Sequence, residues 1–188
     1  MDWFTSDWHL GEDRIGVNGK PNLFYRPFTS VHQQNKTIVD GITNSGFEDG
    51  DTLYHLGDVF FNFNQDSIQA MRVIRNSFPN SRFHLVIGNY DQDNLNWLLP
   101  FFQTMTQDLT IDIAPLCYLN HYPSKCMELM QDAQLGITGH IHGLWKVQKH
   151  LINVGVDAWH FKPVSEETIR FCFNAMQNHY DENVFISS

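Results

Sequence analysis

Thr52-Leu53-Tyr54-His55-Leu56-Gly57-Asp58 decides how this chain is read. The five residues before Gly57 suit a short buried strand. Gly57 permits a tight turn or a close backbone approach, and Asp58 is left at the strand end. A carboxylate placed there has two oxygens and can bridge two cations. His55 lies on the opposite parity from Asp58, so it reads as support or core rather than as a ligand. The same arrangement, a short apolar run ending on a polar side chain, recurs along the sequence. Strands are expected at residues 3–6, 52–56, 83–87, 109–113, 116–119, 136–138 and 151–154. Helices are expected at 30–43, 65–78, 95–106, 124–133 and 166–178, with Ser30 and Ser165 as N-caps. Short runs alternating with longer amphipathic ones predict an α/β fold. In open α/β sheets the strand ends are where ligands bind.

The other strand ends carry a recurring chemistry. In Ser6-Asp7-Trp8-His9, residues two apart on an extended strand share a side, so Asp7 and His9 are expected to converge. In Gly88-Asn89-Tyr90-Asp91, the Asn89 amide oxygen can face a metal without adding charge, and Asp91 is a candidate helix cap. His121 follows an apolar run in Asn120-His121-Tyr122-Pro123. Gly139-His140-Ile141-His142 places two imidazoles two residues apart between glycines. Imidazole and carboxylate donors suit manganese, iron, zinc or nickel.

Taken in order, D-x-H, G-D, G-N-x-D, H and G-H-x-H resemble the signature of the calcineurin-like metallophosphoesterases. The resemblance covers about residues 5–157. It is nearest to small bacterial and phage-type members, which Arg26-Pro27-Phe28 and Asn153-Val154-Gly155-Val156-Asp157-Ala158-Trp159 also resemble. It implies two mixed β-sheets packed as a sandwich with helices on both outer faces, in a single domain over residues 1–188. It further implies two divalent ions, one on Asp7, His9 and His142, the other on Asn89, His121 and His140, with Asp58 as the bridge. Asp58, Asn89, Tyr90, Asp91 and His121 are then the catalytic candidates, and Arg26, Asn89 and Tyr90 the substrate contacts. The planar fork of Arg26 suits a phosphate oxygen; the competing reading is a surface arginine packed on Phe28. The family usually has histidine where this chain has Tyr90, beside the leaving oxygen. Esters with good leaving groups, which need that proton least, are therefore the expected substrates.

Two metals lower the pKa of bound water towards about 7, which supplies hydroxide for in-line attack on phosphorus. The expected function is hydrolysis of a small phosphodiester or nucleotide-type ester. The alternatives are a metal-dependent nuclease and a non-catalytic metal-binding module. The 188 residues include 12 Lys plus Arg against 21 Asp plus Glu, a formal net charge of -9. That balance, without a basic run, argues against extended nucleic-acid binding. No apolar run approaches the roughly 18 residues a membrane span needs. Met1 to Asp7 lacks the basic-then-apolar order of a secretory signal, so a cytoplasmic location is expected. Cys117, Cys126 and Cys172, an odd set without a C-x-x-C pair, read as small buried hydrophobes.

Overall fold

The computed structural model describes residues 1–14 and 26–179. Parallel pairing organises the first half of the chain. β1 (Asp2–Thr5), β2 (Thr52–His55), β3 (Arg82–Val86) and β4 (Thr104–Thr106) lie side by side in parallel. β10 (Val164–Ser165) adds antiparallel to β1 and completes a five-stranded mixed sheet in the order β10-β1-β2-β3-β4. A second mixed sheet has the order β5-β6-β7-β9-β8, from β5 (Asp108–Asp112), β6 (Leu116–Asn120), β7 (Leu135–Thr138), β8 (Val147–Gln148) and β9 (Leu151–Asn153).

Strand alternation divides the apolar side chains between layers. Trp3 and Leu85 turn to one face of the first sheet. There they join Ile38 and Ile42 of α1 (Val31–Thr43) and Met71 and Ile74 of α2 (Gln65–Ser77). Their neighbours Phe4 and Val86 turn the other way and meet Cys117, Leu119, Ile137 and Ile152 of the second sheet. Both sheets therefore contribute to one core between them. Tyr118 and Leu151 point out of that core and pack with Cys126 of α4 (Pro123–Leu129). Ile169 of α5 (Glu166–His179) belongs to the core shared by the two sheets.

Capping chemistry explains where the helices begin. Ser30 caps α1 by accepting from the Gln33 N–H at 3.1 Å. Asn64 and Ser67 form a reciprocal box at the start of α2. Ser165 accepts from the Thr168 N–H at 3.2 Å, as expected of the cap of α5.

The expected helix over 95–106 is not formed. α3 covers only Leu95–Leu98, and the chain then extends into β4. Pro100 has no N–H to give back to the helix and its ring crowds the preceding turn, although Leu99 itself keeps helical backbone. Beyond the proline, the Gln103 N–H donates to the Phe83 carbonyl at 2.8 Å, and Phe83 N–H donates to the Gln103 side chain at 2.6 Å, so sheet pairing replaces the helix. β8 and β10, two residues each, also escaped the sequence reading.

Candidate metal centre

All seven expected ligands lie just beyond strand ends: Asp7 and His9 after β1, Asp58 after β2, Asn89 after β3, His121 after β6, and His140 and His142 after β7. Donor atoms of Asp7, His9 and His142 fall within 4.8 Å of one another, and those of Asp58, His121 and His140 do the same. Asn89 joins the second group, its Oδ1 lying 3.1 Å from His121 Nε2. Asp58 stands between the groups. Its Oδ2 is 3.5 Å from His9 Nε2 and also 3.5 Å from His121 Nε2.

Backbone hydrogen bonds hold these loops together where the sheet ladder ends. Asp7 N–H donates to the Gly57 carbonyl at 2.9 Å and His9 N–H to the Asp58 carbonyl at 3.0 Å. Gly57 adopts φ +92, and a Cβ there would stand 2.6 Å from His121 Nδ1. Only glycine lets the Asp58 turn approach the histidine so closely. The convergence of Asp7 and His9 has a different cause from the expected strand alternation. Both lie past the end of β1 with left-handed backbone, φ 59 and φ 47, as do Asp58, His140 and His142. Such a conformation costs about 1–2 kcal/mol per non-glycine residue, and strain of this kind clusters at functional sites.

The ring tautomers are set by neighbours that can only accept. His121 Nδ1 is 2.6 Å from the Leu56 carbonyl, so it carries the proton and its Nε2 offers a lone pair. His142 Nδ1 is 2.8 Å from Asp157 Oδ2, which leaves its Nε2 to face Asp7 Oδ1 at 3.9 Å. Burial lowers the pKa values of both His9, where Arg26 adds to the effect, and His140, which keeps both imidazoles neutral at pH 7. Asp58 is pushed up to about 7 by burial, with Asp7 adding to the effect against the pull of His121. Lone pairs and carboxylate oxygens thus face each other across short gaps. A divalent cation in each group would remove that repulsion, so the donor set fits two metal ions.

Several side chains sit elsewhere than expected. Arg26 is buried, and its guanidinium donates to both Asp157 oxygens at 2.8 Å, to the Trp8 carbonyl at 2.8 Å and to the Asp7 carbonyl. It is not a surface arginine; it props up the Asp7 backbone and the carboxylate behind His142. Asp91 does not cap the turn that follows it. Its buried carboxylate accepts from the N–H groups of Asp58 at 2.8 Å, Val59 at 3.1 Å and Gly88 at 2.9 Å. It therefore ties the Asp58 and Asn89 loops together. Tyr90 N–H donates to Asp58 Oδ1 at 3.0 Å, and its ring stands edge-on to His9 with centroids 4.8 Å apart.

Sequence reasoning missed Asp157, Tyr122 and the pair Glu12 and Arg14. Two hydrogen bonds and the Arg26 charge outweigh burial and hold Asp157 down at about 2. Tyr122 packs against His121 and His140 at centroid distances of 4.9 and 4.8 Å. Asp157 lay inside a stretch already singled out, and its spacing from Asn153 carried no metal signature of its own. Among the described residues, no helix is long and apolar enough to cross a membrane.

No family model and no curated protein matches the chain. Among solved structures, a protein of unknown function, AQ665 from Aquifex aeolicus, is similar, with a TM-score of 0.69 and 24% identity over 91% of this chain and 98% of that one. The nuclease MPE from Pseudomonas putida matches with a TM-score of 0.50 and 14% identity, over 75% of this chain and 60% of its own. At these identities the likeness speaks for the fold alone.

Proposed function

We propose that residues 1–188 form one calcineurin-like metallophosphoesterase domain that hydrolyses a small phosphodiester or nucleotide-type ester. The observation carrying this reading is the position of Asp58 Oδ2, 3.5 Å from an imidazole of each ligand group. Two divalent ions, when bound, supply an activated water and neutralise phosphoryl charge. Asp7, His9 and His142 would hold one, Asn89, His121 and His140 the other, and Asp58 both. The chain's own residues then have distinct tasks. Asp91 fixes the turn carrying Asp58, Asp157 orients His142, and the Leu56 carbonyl orients His121. Phosphoryl transfer needs positioning and charge neutralisation above all, so no side-chain nucleophile is required.

Tyr90 beside His9 takes the place of the family's leaving-group histidine. With an unperturbed pKa near 10, a tyrosine is a weak proton donor at neutral pH. Aryl diesters and phosphoanhydrides suit such a site better than alkyl monoesters. The second reading, a nuclease, is supported by the fold shared with the Pseudomonas putida enzyme and opposed by the net charge of -9.

The test is turnover of an aryl phosphodiester by protein reconstituted with manganese, set beside cleavage of single-stranded DNA. The proposal expects aryl-diester hydrolysis that chelation abolishes, with about two metal equivalents bound. Tyr90→Phe should be mild on that substrate. Activity that persists in metal-free protein would sink the reading.

A further inference from the structure

Arg26 is buried behind the ligands, whereas Arg14, among the described residues, is a partly exposed cation connected to the centre. Its route to the centre runs through three aromatic contacts. The Tyr90 ring stands against His9 at 4.8 Å, Phe61 lies 5.3 Å from Tyr90, and the Arg14 guanidinium sits 4.1 Å above the Phe61 ring. The segment is tied back to the ligands as well, because Glu12 N–H donates to the His9 carbonyl at 3.2 Å.

Glu12 fixes the direction of the guanidinium. Its carboxylate is fully buried and accepts from Arg14 Nε at 2.8 Å and from Nη2 at 2.7 Å. The Arg14 side chain nevertheless keeps 42% of its surface exposed. Glu12 is the main cause of its raised pKa, and Tyr90 adds to it. A planar cation held from behind by a buried carboxylate and from below by a ring has little freedom left to lose on binding.

We infer that Arg14, aimed by Glu12 and Phe61, grips a non-bridging phosphoryl oxygen of the substrate and favours phosphodiesters over phosphomonoesters. This rests on the phosphoesterase reading above. The preference follows from charge. Glu12 offsets the guanidinium, so the pair adds directed donors without adding net positive charge. A singly charged diester suits such a clamp, whereas a doubly charged monoester gains most from an uncompensated cation.

The experiment uses the manganese-loaded protein with an aryl phosphodiester, the matching monoester, and inorganic phosphate titrated by calorimetry. Arg14→Gln should lower kcat/KM on the diester by about 10²-fold, the scale of one lost oxyanion donor. The diester-to-monoester ratio should fall, phosphate affinity should fall by about tenfold or more, and metal content should stay unchanged. Arg14→Lys should recover only part, because it lacks the fork. The double variant Glu12→Gln/Arg14→Gln removes the stranded carboxylate and should show the same kinetic loss, which separates substrate contact from misfolding. Wild-type kcat/KM and phosphate affinity in Arg14→Gln overturn the inference. If the wild type turns over no phosphoester, the phosphoesterase reading fails. The phosphate titration still decides Arg14 in that case: equal affinity in wild type and Arg14→Gln, or no binding by either, overturns its role.

Discussion

The two halves of the candidate metal centre each join two histidines to one oxygen donor, but they are held differently. Asp7 and His9 are fully buried, and His142 is braced from behind by Asp157, which Arg26 braces in turn. In the other half His121 is buried, but His140 and Asn89 are exposed. Behind His121 stands the Leu56 carbonyl rather than a carboxylate, while Asp91 ties the backbone of the Asp58 and Asn89 loops. An oriented, desolvated donor set loses little freedom on binding a cation, whereas exposed side chains must be ordered first. The first half should therefore hold its ion more tightly, and the second should exchange its ion and face the substrate.

Removing what the halves share gives the largest expected effect. Asp58→Asn should lower turnover by about 10³-fold or more, since several kcal/mol of charge stabilisation are lost at both positions together. Metal analysis should show both equivalents weakened in a protein with unchanged circular dichroism. Near wild-type turnover at saturating metal would remove Asp58 as the bridge.

Next in size is a change meant for one half only. Asp157→Asn should weaken the tighter step of a calorimetric metal titration by about 10–100-fold and leave the weaker step alone. His140→Ala should do the reverse. If both variants weaken the same step, the two halves are not distinct sites.

A smaller effect tests how dry the ground beneath the first half is. His55 is fully buried, neither ring nitrogen has a hydrogen-bond partner, and its ring meets Trp8 edge-on at 4.5 Å. Burial, followed by the nearby His121, lowers its pKa well below the ordinary value. A histidine whose folded pKa is depressed supplies stability above its unfolded pKa of about 6.5 and loses it as pH falls. Between pH 7 and pH 5, metal-free wild type should thus lose more stability than His55→Leu. Denaturant titrations at the two pH values measure this, and identical slopes would contradict it.

The smallest effect serves as a control outside the ligand set. Asn64→Ala should cost about 1 kcal/mol by removing the cap of α2, visible as a lowered midpoint in urea. Both metal steps should stay as they were.

Much of this was legible in the chain because strand ends and polar residues alternate so regularly. The run from Thr52 to Asp58 predicted its strand, its turn and the carboxylate beyond. Pro100 carried a signal against a continuous helix over 95–106 that the reading left unused. The edge strands β8 and β10 are too short for any period to register. Among site residues, the fate of Arg26 could not be read, since Asp157 lies 131 positions away. Nothing local in Glu12 and Arg14 marked them either, because their meaning comes from Phe61 and Tyr90, brought beside them by β2 and β3.

The left-handed backbone at Asp7, His9, Asp58, His140 and His142 bears on how this centre should be dissected. An alanine at any of these positions removes a donor while keeping a Cβ where the backbone disfavours one. Aspartate and histidine visit that region more readily than most residues, and glycine occupies it freely. An alanine scan would then mix lost coordination with a conformational penalty, and overstate the first. Glycine replacements at the same five positions subtract the second. The difference between the two scans reads out how much of each side chain's identity is dictated by chemistry and how much by geometry alone.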